Sequence, residues 1–440
     1  MTAAVSAALM GCSPGGGGGG GGASEDTCTN EIKVEDVPIV TYWAWHADSP
    51  DTVDAYNESH DDVQICWTNA GQGPDQYTKL STSLQSGSGA PDIVVIEYDW
   101  LSSFIIQDGL VNLSEHGVEE YKDNFTEGAW RDVSSGDSVY GVPTDLGPLG
   151  MWYRADIFEQ HGIAVPTTWD EYSAAAQQLR DATGGETLIG NFAPNGSGQH
   201  YAFLDQAGAV PFDFDSGNQG EIGINVNDEA SKKVFEYWLG LVDQGLVGTD
   251  EAWTPEFNTK LGTGGYATAV YPAWYNIHIP GFEDADADAQ WRAAPVPQWD
   301  AANPVHVNWG GSALAVTAQA DDPELATRVA AELYEPEDVR QNAVEAGGLF
   351  LASPDVIEAE WFQNLEYEFY GGQKVNQDVF VPAALGYEGV TYGPFSQFYY
   401  DEQQRLLSEA IAGNLAPSEV ADELQKVLES YATEQGFTLK

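Results

Sequence analysis

Basic side chains are what this sequence has least of: 16 Lys and Arg stand against 69 Asp and Glu in 440 residues, a formal charge of -53 at pH 7. Such a chain is repelled by a phosphate backbone or an anionic membrane surface, which excludes nucleic acid and lipid headgroups as partners. Neutral or cationic partners remain, and surface acidity that only keeps the protein soluble is the plainest account of the charge. No stretch of eighteen apolar residues occurs, so no spanning helix is expected. HExxH, GxxxxGK[ST], GxSxG and CxxC are all missing, and GxGxxG matches fall only inside a glycine tract where they carry no meaning. The 7 histidines are scattered without ligand spacing, which argues against zinc. Two Asp-rich runs, 213–217 (DFDSG) and 284–288 (DADAD), lack the closing bidentate Glu of a calcium loop and read as solvated acidic loops. No metal and no cofactor is expected.

Cysteine is also scarce, at 3 residues. Cys12 follows Leu9-Met10-Gly11 and precedes the glycine tract 15–22. This arrangement reads as the end of a bacterial lipoprotein signal peptide, with 1–11 a remnant, Cys12 the lipidated residue and 12–36 a flexible tether. No Lys or Arg precedes the short apolar run, so the start of the signal is expected upstream; a tail with a chance cysteine is the alternative. Cys28 and Cys66 flank and enter the first two expected strands. Either they form a disulfide in an oxidising, exported setting, or Cys66 is a buried free thiol.

What the sequence has in quantity is aromatic residues, 14 Trp, 21 Tyr and 17 Phe. Residues 39–45 (IVTYWAW), 63–69 and 92–97 (DIVVIE) read as strands, with helices at 50–59 and 74–85 between them. That βαβαβ order implies a mainly parallel sheet with helices on both faces, and ligands then bind at the carboxyl ends of its strands. The loops there hold Trp45, His46 and Asp48; Gln72; and Glu97, Asp99 and Trp100. Further along, helices are expected at 168–180 with Thr168 as N-cap, at 228–242, at 323–334, at 403–412 and at 417–431. Short strands are expected at 188–192, 267–271 and 312–317. Two α/β lobes facing one cleft follow.

Trp45, Trp100, Trp274 and Trp309 all fall in or beside strand-end loops. A sugar ring offers an apolar C–H face and a hydroxyl rim, so flat rings beside carboxylates and amides suit it. An aromatic box for a quaternary ammonium ligand is the chief rival among binders. Glu97, Asp99 and Asp145 could instead be the paired carboxylates of a glycoside hydrolase, and a non-catalytic carbohydrate-binding adhesin is a further alternative.

The segments "APDIVVIEYDWLSSFIIQDGLVNL", "GVPTDLGPLGMWYRADIFEQHGIAVPTTWDEY", "EFNTKLGTGGYATAVYPAWY" and "GGSALAVTAQADDPELATRVAAEL" occur in this order. Together they resemble the extracellular solute-binding proteins of carbohydrate ABC importers, the maltodextrin-binding-like family. The resemblance implies a periplasmic-binding-protein-like α/β fold, each lobe a mainly parallel sheet flanked by helices, joined by hinge segments. It implies lobes at 37–144 plus 301–345 and at 145–300 plus 346–440. It also implies a sugar held without chemistry, permease subunits as partners, a monomer, and a lipid-anchored place outside the cytoplasmic membrane. Ligand positions implied by the family are Trp45, His46, Asp48, Glu97, Asp99, Trp100, Asp145, Trp274, Trp309, Gly310 and Gly311. Tyr392 and Tyr400 are added at the far end, where the family often carries a Trp that this chain lacks.

Overall fold

The computed structural model describes residues 28–282 and 288–440. Cys12 and residues 284–287 of the second acidic run lie outside them. In chain order the elements that build the site are β1 (Ile39–Trp43), α1 (Ser49–Ser59), β2 (Gln64–Thr68), α2 (Pro74–Ser86), β3 (Ile93–Glu97), α3 (Tyr98–Ile105) and α4 (Glu127–Asp132). There follow β4 (Val142–Pro143), β5 (Leu149–Arg154), α5 (Trp169–Thr183), β6 (Gly190–Asn191), α6 (Ser197–Gln206), α7 (Glu229–Asp243), β7 (Val247–Gly248), α8 (Pro255–Thr263), β8 (Thr268–Pro272) and β9 (Trp291–Pro295). The chain closes with β10 (Ser312–Val316), α9 (Pro323–Glu332), α10 (Glu337–Glu345), α11 (Ser396–Ile411) and α12 (Val420–Glu434).

The fold is a two-lobed α/β architecture. One sheet has the order β2-β1-β3-β10-β4. Its strands β1, β2 and β3 run parallel, and their central residues, such as Val94, Val95 and Ile96, are wholly buried, as near-continuous apolar runs require. The second sheet is likewise mainly parallel with one opposed strand: β8 and β9 both run against β5 between them and so parallel to each other, β6 runs parallel to β7, and the Leu188–Tyr266 bridge is parallel. The reason lies in the chain path. In each lobe the opposed strand, β10 or β5, is the one that has just entered from the other lobe and therefore starts at the cleft where its neighbours end: Ser312 pairs with Glu97, and Leu149 with Pro272.

Local signals explain the helices that frame the second sheet. Thr168 caps α5 by accepting the Glu171 N–H at 3.2 Å, and α5 stops at Gly184 with φ 66°. Asp228 caps α7 by accepting the Ser231 N–H at 2.7 Å, and Val234, Phe235, Trp238 and Leu239 turn its apolar stripe inward. The first closing helix begins at Ser396, a full two turns before the periodicity at 403 becomes legible.

Three chain segments join the lobes and hydrogen-bond to one another. Asp145 and Leu146 pair with Leu351 and Phe350, Pro148 bridges Asn308, and Trp309 N–H donates to Gly147 O at 2.9 Å. Residues 301–307, expected with the first lobe, end in contact with the second: Leu149 N–H donates to Val307 O at 3.0 Å, and Val307 sits in the second lobe's core. A disulfide ties Cys28 to Cys66 on β2, with Cα atoms 5.0 Å apart. Among the described residues no helix is long and apolar enough to cross a membrane.

Candidate ligand cleft

The carboxyl ends of β1 and β3 bring three rings together in the first lobe. Trp45 meets Tyr77 edge-on at 6.0 Å, and Tyr77 lies 4.6 Å from Trp100; both indoles stay half-buried. Beside them Tyr77 Oη donates to Glu97 Oε2 at 3.0 Å. Burial, with Asp99 as a like-charged neighbour, pushes Glu97 up to about 8. Burial also raises Asp99 to about 6, although the Tyr400 hydroxyl donates to its carboxylate. That bond crosses from α3 to α11, as does the bond from Ser396 Oγ to Asp99 O. The two lobes thus touch directly at this end.

At the floor, His46 Nε2 lies 3.2 Å from Ser312 Oγ, and Ser312 donates both its hydroxyl and its N–H to Asp145 Oδ1. These are the residue types of a nucleophile triad in the wrong order. The single hydroxyl proton of Ser312 goes to the acid, so His46 is not placed to remove it. Burial raises Asp145 from its ordinary value, and His46 opposes the shift. Asp145 O also accepts from Tyr98 Oη at 2.8 Å, so this residue fastens the crossing segment on both its backbone and its side chain.

Gly310 and Gly311 carry φ of 76° and 90°, and a Cβ on Gly311 would stand 2.8 Å from Asp145 O. Glycine is required there by both conformation and space. Trp309, just before them, meets Trp274 at 5.7 Å, and Trp274 Nε1 donates to Trp309 O at 3.1 Å. Both indoles are half-buried. Trp274 follows the carboxyl end of β8 because that strand, opposed to β5, ends at the hinge.

Other expected positions lie apart from this group. Asp48 is wholly buried beneath α1, where it accepts from Thr52 Oγ1 at 2.9 Å and Tyr334 Oη at 3.2 Å. Gln72 is exposed on the loop leading into α2. Tyr392, by contrast, leans on Tyr201 at 5.1 Å and lines a small pocket with Ser396 and Tyr400, next to the Asp99 contact. One ring was missed by the sequence reading: Trp253, 46% exposed, lies near-parallel to Trp274 at 6.1 Å with 20° between the planes. It falls in a loop after a strand of 2 residues, too short to show a period.

A profile describing bacterial extracellular solute-binding proteins matches residues 51–367. The chain belongs to that family. Among the relatives of this solute-binding protein is the arabinooligosaccharide-binding protein of Halalkalibacterium halodurans, 26% identical over 352 residues that span 77% of each chain. Similar solved structures include the ABC transporter associated binding protein from B. animalis subsp. lactis in complex with beta-1,6-galactobiose, with TM-score 0.76 and 27% identity, covering 92% of this chain and 100% of that one. The galacto-N-biose-/lacto-N-biose I-binding protein from Bifidobacterium longum shares the fold, with TM-score 0.79 and 24% identity, covering 92% and 99%. The family is one of extracellular solute-binding proteins, and these relatives are binding proteins by name.

Proposed function

We propose that this protein captures a sugar between its lobes and delivers it to the permease subunits of an ABC importer. One observation carries the reading: half-exposed indoles, Trp274 and Trp309, stand on the second-lobe side of a hinge whose first-lobe side presents Trp45, Trp100, Glu97 and Asp99. Stacking surface on one side and hydrogen-bond acceptors on the other suit the two faces of a sugar. Relatives that bind arabinooligosaccharides and beta-1,6-galactobiose support the same class of ligand. The lobes divide at 144/145 and 345/346, with the return crossing at 308–311. Sugar is bound and released unchanged, the protein acts as a monomer, and Cys12 carries the lipid that holds it at the outer face of the membrane.

A thermal-shift screen of a carbohydrate library tests the binding, since a ligand at one hundred times its dissociation constant stabilises by about 2.7 kcal/mol. Chromatography of the best ligand after incubation should return it intact; cleavage that Asp145→Asn abolishes would replace transport by glycoside hydrolysis. Expressed from its full start in a Gram-positive host, the protein should partition with membranes and its Cys12→Ser variant should be released. Equal release of both would remove the anchor.

A further inference from the structure

Trp253 is held in a backbone conformation that a bulky residue rarely adopts, with φ 68°. Its neighbours impose it. The Asn195 side chain binds both backbone groups of Ala252, accepting its N–H at 2.8 Å and donating to its carbonyl at 3.3 Å. Asn191 clamps Asp250 in the same way, at 2.9 and 2.8 Å. On the other side Thr254 caps α8 by accepting the Phe257 N–H at 3.3 Å. The residue between two such fixed points has no freedom to relax, and strain of this kind persists where the surroundings over-determine it and clusters at ligand clamps.

The strained position places an indole in water. Trp253 meets Tyr275 at 5.6 Å and His278 at 5.5 Å edge-on, while its plane lies within 20° of Trp274. Trp274 therefore links Trp309, met edge-on at 5.7 Å, to the more exposed Trp253, near-parallel at 6.1 Å. A monosaccharide covers one ring of such a set. Resting on the sugar-binding reading above, we infer that Trp253 is an outer stacking platform and that the ligand is an oligosaccharide of three or more units.

Titration calorimetry with ladders of arabino-, galacto- and malto-oligosaccharides, from one to five units, tests this on the wild type, Trp253→Gly and Trp253→Phe. Glycine removes the ring and suits the left-handed backbone, so relief of strain offsets part of the packing and chain entropy lost and the fold should stay intact in a thermal melt. Wild-type affinity should rise with length up to three units or beyond. Trp253→Gly should keep the short members and lose about ten-fold on the trisaccharide and longer, and Trp253→Phe should recover most of that loss. The same length dependence in Trp253→Gly and wild type, an equal loss at every length, or a wild type that gains nothing beyond two units overturns the inference while leaving sugar capture intact. A wild type that binds no member of any ladder instead overturns sugar capture, and the outer platform with it.

Discussion

Two groups of tryptophans share the second lobe and differ in what covers them. Trp238 is stacked between Phe192 at 5.3 Å and Phe203 at 4.9 Å, with Trp169 edge-on at 5.3 Å, and all four rings are buried. The Trp169 indole nitrogen is satisfied inside, donating to Gln206 Oε1 at 2.8 Å. Trp274, Trp309 and Trp253 meet each other at similar distances, yet each keeps part of its surface open. Ring count and ring spacing therefore do not separate a core from a binding surface. Coverage does: the first group is enclosed by α5, α6 and α7, while the second follows strand ends and crossings and, among the described residues, stays partly open.

That difference can be broken at its strongest point first. Trp238→Ala leaves a cavity among the buried rings of Trp169, Phe192 and Phe203 and the neighbouring Tyr172 and Tyr237, and should cost about 3–5 kcal/mol of stability in denaturant melts, without changing sugar affinity in the protein that stays folded. Trp274→Ala should do the reverse. It should weaken sugar binding by about 1–3 kcal/mol, the range found for bases stacked on aromatic side chains, and leave the melt near that of wild type. A collapsed melt would move Trp274 into the first group.

A pH dependence sharpens a contrast between the lobes' contacts. Asp132 on α4 accepts from Tyr387 Oη at 2.9 Å and Val390 N–H at 2.9 Å, and burial raises it to about 8. An unfolded Asp ionises near pH 4, so between about pH 4 and 8 the folded protein holds a proton that the unfolded chain has lost. The stability this group supplies is full below that window and falls as pH rises through it. The melting temperature of wild type should therefore drop more steeply from pH 4 to 8 than that of Asp132→Asn. Parallel curves would show that Asp132 is ionised in the fold.

The first lobe was the more legible half. Strands β1, β2 and β3 fall within a residue or two of where β-branched runs put them, and the loops after β1 and β3 do gather Trp45, His46, Glu97, Asp99 and Trp100. Asp48 shows where that reasoning stops. It directly precedes α1, and its carboxylate serves Thr52 and Tyr334 rather than the cleft. In the second lobe β5 alone runs against its neighbours, and no local pattern shows this because its direction is set by where the chain enters the lobe. Trp253 was missed because its signal is a backbone angle set by Asn195, which lies 57 positions away in sequence.

The three segments that join the lobes are bonded edge to edge, with 144–149 in the middle, 350–352 on one side and 307–309 on the other. Sliding or twisting one past another would break those bonds, whereas bending the ribbon out of its own plane keeps them. The connection thus resembles a leaf spring: out-of-plane bending is the one deformation that costs the ribbon none of its own bonds, so any resistance to it comes from the contacts of Tyr400 and Ser396 with Asp99 and of Tyr387 with Asp132.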